Sequence, residues 1–284
     1  ITLGSGIFTA CPNLTSITLC GQVTNISGAF RDCLRLETIV ISDTNQNFAE
    51  EGGVIYNLQG NTVQYVYAPQ APAEGVEAGV TVDASGNAVI SGVENIGNYA
   101  FANRTDITSV YISADVQTIG SYAFSGCINL KTVVFEAGSP LQSIGTYAFA
   151  DCTSLESIAL PTTENFKSLP SSIFNGCSSL TSVTLPTNLT AINGSAFRYC
   201  SSLQSISIPA TVTSFGTYVF ADCSNLSEVN FNGNTSIRSL GNYMFYNCTA
   251  LETVTLPTSL IFLGTYTFRG SGLTRIDLSE LTGL

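Results

Sequence analysis

Residues 144–161 read IGTYAFADCTSLESIALP, and the same pattern, I-G-x-Y-A-F-x-x-C-x-x-L-x-x-V-x-L-P, returns along almost the whole chain. Its fixed point is a phenylalanine, found at Phe8, Phe30, Phe101, Phe124, Phe149, Phe174, Phe197, Phe220, Phe245 and Phe268. From Phe101 onward, successive anchors lie 23 or 25 residues apart. A fixed period of that length predicts a solenoid, in which each repeat forms one coil and neighbouring coils bury each other's apolar faces. A single coil would leave half of its apolar surface in water, so no coil is expected to fold by itself.

Each repeat divides into three pieces. The first, as in Leu155-Glu-Ser-Ile158-Ala-Leu160, alternates apolar and small polar residues and predicts a short strand with one buried face. Proline follows at Pro161, Pro186, Pro209 and Pro257, where the strand must end at a corner. The second piece is a short extended stretch, such as Ser143-Ile144, followed by glycine at Gly97, Gly120, Gly145, Gly216, Gly241 and Gly264. Glycine there suggests a sharp turn. The third, Tyr147 to Cys152 and its equivalents, suggests one helical turn that inserts its phenylalanine into the core. Stacked in register, the first pieces form a parallel sheet with coils about 4.8 Å apart.

The period lapses once. Between Phe30 and Phe101 lie 71 residues, close to three periods, yet the middle lacks the motif. Residues 47–69 read as two short strands around a turn at Gln59-Gly60-Asn61. Pro69 to Gly79 has the composition of a loop, Val80-Thr81-Val82 resumes a strand, and Gly92 to Phe101 restores the repeat. The expectation is therefore one array over 1–284: regular repeats at 1–46, a degenerate coil carrying a hairpin at 47–91, and regular repeats at 92–284. Residues 1–3 have the pattern of the end of a strand from an earlier repeat, and Arg275 and Asp277 suggest the start of a terminal cap.

Composition narrows the function. Hydrophobic residues make up 44% of the chain and charged ones only 10%, so the surface must be carried by Ser, Thr, Asn and Gly. The net charge of −11, from 9 basic and 20 acidic residues, argues against nucleic acid and against docking on anionic membranes. No apolar run is long enough for a transmembrane helix. Histidine is absent, which removes Ser-His-Asp and Cys-His arrangements and most zinc sites. No cofactor, metal or catalytic residue is expected.

Eight of the nine cysteines fall three residues after the anchor, at Cys11, Cys33, Cys127, Cys152, Cys177, Cys200, Cys223 and Cys248. No C-x-x-C pair points to a metal, and in-register side chains point the same way rather than at each other. A column of buried thiols is the expectation, with Cys20 outside it. Tyrosines recur two residues before the anchor, at Tyr99, Tyr122, Tyr147, Tyr218, Tyr243 and Tyr266, and should pack coil on coil.

The outer face of the sheet is the expected binding surface. Its two columns start at Ser16 and Thr18 and are mostly hydroxylated. Val40, Tyr111 and Val134 are the exceptions, since apolar groups on such a face suggest contact.

The stretches IGSYAFSGCINLKTVVF (119–135), IGTYAFADCTSLESIALP (144–161) and FGTYVFADCSNLSEVNF (215–231) closely resemble the BspA-like leucine-rich repeats of bacterial and protozoan surface proteins. The segment GGVIYN (52–57) resembles an irregular unit of that family. The resemblance covers nearly the whole chain. It implies a leucine-rich-repeat solenoid of ten to eleven coils with a parallel sheet on the concave face and short strands and single helical turns on the convex side. It also implies an extracellular or cell-surface bacterial location and adhesion to a host or microbial surface or matrix protein. A glycan-binding module using Ser, Thr, Asn and the tyrosine stripe, and a structural spacer, stand as alternatives.

Overall fold

The computed structural model describes residues 1–33, 35–67, 79–281 and 283. The chain is a β-solenoid of about ten turns. Its long strands line one side of the coil: β1 (Ser16–Leu19), β2 (Thr38–Ile41), β9 (Ser109–Ile112), β11 (Thr132–Phe135), β13 (Ser157–Ala159), β15 (Ser182–Thr184), β17 (Ser205–Ser207) and β19 (Glu228–Asn230). Two-residue strands line a second side: β8 (Asn95–Ile96), β10 (Thr118–Ile119), β12 (Ser143–Ile144), β14 (Ser168–Leu169), β16 (Ala191–Ile192), β18 (Ser214–Phe215), β20 (Ser239–Leu240) and β21 (Phe262–Leu263). All these pairings are parallel and one coil apart: Ser109 faces Thr132, and Thr132 faces Ser157. At the corners after Leu185, Ile208 and Leu256 the carbonyls of Pro186, Pro209 and Pro257 each accept the N–H three residues on, closing a turn.

The third piece of the repeat is not helical, as the sequence suggests it to be; no helix occurs among the described residues. Two overlapping tight turns replace it. The N–H groups of Ser125 and Cys127 close onto the carbonyls of Tyr122 and Phe124, three residues back. The alternate N–H groups, those of Tyr122, Phe124 and Gly126, instead donate to Thr146, Ala148 and Ala150 of the next coil at 2.8–2.9 Å. A helix would keep all of these donors for itself. The turn achieves the division by holding the tyrosine in the left-handed region, with φ of 58° at Tyr122 and 57° at Tyr147, and again four residues later at Gly126 and Asp151. The glycine that follows six of the eight short strands, all but β14 and β16, serves a different purpose from the one its residue type suggests. A Cβ on Gly145 would lie 2.3 Å from the backbone nitrogen of Ser121 in the preceding coil, so glycine stands here because two backbones meet.

Inside the turns the phenylalanines form a stack. Ring centroids from Phe101 through Phe268 are 4.9–5.9 Å apart, with interplanar angles of 1–25°. Phe8 and Phe30 make a separate pair at 5.7 Å. Phe30, Phe101 and the six that follow up to Phe245 are fully buried, while Phe8 and Phe268 are half-buried. Beside the rings run the thiols. Cys127 donates to the Phe101 carbonyl at 3.1 Å, Cys152 to Phe124 at 3.2 Å and Cys177 to Phe149 at 3.0 Å, and the pattern continues to Cys248. The carbonyls of Phe101 and Phe124 also accept the N–H three residues on in their own coil, so the thiol occupies a second lone pair. The column contains no disulfide, and seven of its eight thiols are buried, with Cys11 partly so; Cys20 is exposed. Burial is the main cause that pushes the thiols up, Cys127 and Cys248 to about 12.

The irregular segment is richer than the expected degenerate coil with one hairpin. The two strands expected around residues 59–61 are β4 (Val54–Asn57) and β5 (Thr62–Val66), but β3 (Phe48–Glu51) joins them in a three-stranded antiparallel meander. Val80–Val82 lies in β6 (Gly79–Val82), which is not yet a coil strand. It folds back antiparallel on β7 (Asn87–Ser91), and β7 is the one that pairs parallel to β9. The loop expected at Pro69 to Gly79 lies outside the described residues except for Gly79, which opens β6. The meander separates two apolar cores. Val54 belongs to the main core and its neighbour Ile55 to the smaller N-terminal core, so the two faces of β4 serve different interiors. Tyr65 of β5 packs its ring 5.5 Å from Phe30, ending the N-terminal aromatic column. On the turn side the two blocks meet directly, through a hydrogen bond from Asn103 to the Asp32 carboxylate.

Two outcomes follow from this packing. Gly145→Ala should destabilise the fold by about 1–3 kcal/mol, because a backbone rather than a flexible side chain must move; urea unfolding of wild type and variant measures it. The second concerns pH. The ordinary thiol loses its proton near 9.0, while Cys127 and Cys248 hold theirs to about 12 in the folded chain. Between those values the folded state binds more protons than the unfolded one, so the contribution of the thiols to stability should be fully present below pH 9 and be lost as pH rises toward 12. Equilibrium unfolding from pH 7 to 11 checks this, and a flat profile would contradict the buried column.

Candidate functional site

The concave sheet presents two outward columns in the register that the repeat implies. In one, Asn87, Ser109, Thr132, Ser157 and Ser182 stand on consecutive coils. Ser109 donates to Asn87 at 2.7 Å. In the other, Val89 faces Tyr111 and Tyr111 faces Val134. Strand alternation causes this placement. Val110 and Ile112 turn into the core, so Tyr111 between them must face out. Val89 and Val134 keep 39% and 51% of their surface in water, so three adjacent coils carry an apolar strip on an otherwise hydroxylated face.

Of the three residues singled out in the sequence, the structure brings Tyr111 and Val134 together. It keeps Val40 apart: Val40 is 49% exposed on β2, which pairs with β1 in a separate two-stranded sheet, opposite Thr18. Val89 is the member that sequence reasoning misses, because it falls in the stretch 47–91 expected to be a degenerate coil outside the regular columns. The signal was available in Ala88-Val89-Ile90, which has the same in-out-in alternation as Val110-Tyr111-Ile112. Towards the C-terminal end the sheet is less complete than the columns suggest. Residues 253–255 and 275–277 continue the pattern as extended chain outside any strand.

Charge near the strip comes from Glu136, which accepts the Ala114 N–H at 2.7 Å. Desolvation, and then the nearby Glu136 carboxylate, which opposes a second negative charge, raise the Tyr111 phenol above its ordinary 10.0. Asp83, the acidic residue of the β6–β7 turn, accepts the N–H groups of Ser85 and Asn87 and the Asn87 side-chain amide. Those bonds hold its carboxyl below the usual range, and they use the oxygens a cation would need.

The tyrosine stripe has little face left to offer. Tyr99, Tyr122 and Tyr147 stack at 4.9 and 4.7 Å, and Tyr218, Tyr243 and Tyr266 at 4.5 and 5.1 Å. Ser172 and Ser195 interrupt the stripe, with the same positive φ as the tyrosines they replace. Arginines cover three of the stack ends: Arg31 over Tyr99, Arg198 over Tyr218 and Arg269 over Tyr266, at 4.8–5.8 Å.

A parallel-sheet solenoid of about ten turns, built on this repeat, has the fold of a leucine-rich repeat scaffold. The family model of the BspA-type leucine-rich repeat region matches residues 1–52, 94–227 and 225–283, and the chain belongs to that family. Among proteins of curated function none matches. A leucine-rich repeat protein from Eubacterium ventriosum is 24% identical, with a TM-score of 0.60 over 93% of this chain and 61% of its own length. The chain thus spans about three fifths of that protein. The pneumococcal vaccine antigen PcpA is 22% identical, with a TM-score of 0.57 over 81% of this chain and 70% of its own. Both likenesses concern the fold. Leucine-rich repeats are a general protein-interaction scaffold.

In a pH titration followed by tyrosine absorbance or NMR, the Tyr111 phenol should lose its proton above 10, and Glu136→Gln should bring it closer to the ordinary value. A Tyr111 signal that ignores the Glu136 change would remove the carboxylate from the strip's surroundings.

Proposed function

We propose that the chain is a non-enzymatic interaction module of a secreted or surface-attached bacterial protein, and that it binds a host or microbial surface or matrix protein through its concave face. The observation that carries the reading is the strip Val89, Tyr111 and Val134. Two valines and a tyrosine stand in register on a rigid sheet, next to hydroxyl columns that cost little to desolvate compared with charges. An aromatic ring flanked by exposed aliphatic groups is the composition of an interface anchor. Family membership supports the surface location, and among the described residues no helix is long and apolar enough to cross a membrane.

The test is a binding assay of the chain against immobilised matrix proteins, mucin and intact cells. Tyr111→Ser combined with Val134→Ser should weaken capture of the bound protein by about tenfold or more, the usual effect of removing an interface anchor. Both side chains face out, so the melting temperature should change little. Retained binding in the double variant would move the interface elsewhere. Failure of every preparation to bind would remove the adhesive reading.

A further inference from the structure

The second side of the coil carries a different recess. It lies where the N-terminal coils, the meander and the first regular coils meet, and measures about 450 Å³. Its floor is a row of residues in direct register across four strands: Asn57 faces Thr62, Thr62 faces Asn95, and Asn95 faces Thr118. Among the described residues no charged side chain lines it, and its one apolar lining residue, Ile96, is buried.

What sets the recess apart is the state of its amides. Asn57 accepts the N–H groups of Gln59 and Gly60 at 2.9 and 3.2 Å. Asn25 accepts the Ser27 N–H at 2.8 Å, and Asn98 the Ser121 N–H at 2.7 Å. In each case the carbonyl oxygen is tied to the backbone, which fixes the side chain, and the NH2 group has no partner among the described residues. The Gln64 amide has none on either atom. The larger cleft beside β19, about 510 Å³, shows the contrast. There Asn232 donates to Ser207 and Ile208 and Asn234 donates to Val212, and of the three asparagines only Asn230, which accepts the Asn232 N–H, keeps an NH2 without a partner among the described residues. Of these two recesses, the one at the junction has three such fixed donors left over and the one beside β19 has one.

We propose that this recess binds a neutral sugar residue. Sugar hydroxyls accept from the three asparagine NH2 groups, and the Gln64 amide, with both a donor and an acceptor, pairs with a hydroxyl in either sense. With no lysine or arginine in the lining and a chain of net charge −11, an anionic ligand gains nothing there. With no exposed apolar floor, a lipid or an apolar peptide gains nothing either. The ring of Tyr99 adjoins the recess, but its faces are held by Tyr122 and by Arg31, so the sugar is gripped through its hydroxyls and not by stacking. The site is independent of the Tyr111 strip, which lies on the other sheet.

The experiment titrates the full chain with glucose, galactose, N-acetylglucosamine, lactose and cellobiose, followed by saturation-transfer NMR and calorimetry. At least one should bind with weak, millimolar affinity. Gln64→Ala removes an amide that holds nothing in the fold. Asn98→Asp keeps the oxygen that accepts from Ser121 and deletes the donor. Each should weaken the sugar about tenfold with the melting temperature unchanged, since a tenfold loss corresponds to about 1.4 kcal/mol, and Val134→Ser should leave the sugar bound as before. The proposal is overturned if none of the five sugars shows saturation transfer, if both recess variants bind as wild type does, or if acetate displaces the sugar, which would make the recess an anion site.

Discussion

The structure depends on a division of backbone donors. In the turns at Phe8 and from Phe101 to Phe245, alternate N–H groups serve to close the turn while those between them are handed to the next coil. That second set fixes the coil spacing on the side where no regular strand exists, and the rest of the interior is adjusted to it. Phenylalanine rings at 4.9–5.9 Å are near the separation of stacked aromatics, so the core residue and the backbone repeat agree. The thiol is short enough to lie inside the turn and still reach the carbonyl one coil back. Where the backbones approach most closely, as at Gly145, no side chain is tolerated. The same division leaves no single coil complete, because each needs a neighbour to receive its donors.

Much of this was legible in the sequence. A phenylalanine at a constant period states both the architecture and the buried column, and the L-x-x-V-x-L alternation states which residues face out. The turn was not legible as a turn. Tyr-Ala-Phe has ordinary helical composition, and an aromatic residue with positive φ is an uncommon choice that no local pattern announces. It is sustained here by inter-coil bonds and by tyrosine stacking, both of which are non-local. The meander resisted for a related reason. Its strands pair antiparallel within the segment, and β4 faces two cores at once, so its apolar residues do not alternate in the way a one-sided strand would. The candidate strip was partly visible. Tyr111 and Val134 stand out by type, whereas the place of Val89 depends on a pairing, β7 with β9, that follows a hairpin of unknown register until it is seen. Val40 looked equivalent by counting repeats, and the count ignored the meander between them.

For binding, the notable property of the surface is how little of it is charged. An interface on hydroxyls and small apolar groups has a low desolvation cost but few strong contacts, so affinity must come from area, shape and a small number of anchors. The aromatic stripe, which by type would be the obvious anchor, has used its rings on itself. On the two proposals made above, anchoring falls to residues where the regular pattern is broken, at the strip beside the β6–β7 hairpin and at the amide-lined junction.

The meander between the two cores has one more effect. A rod of identical steps has translational symmetry: a partner that fits one position fits the next equally well, and nothing stops it sliding by a step. The departure at residues 47–91 is a landmark that occurs once. Val89 and the Asn57 row exist only there, so any ligand that touches them is held in a single phase relative to the whole array, and the rod acquires a defined origin.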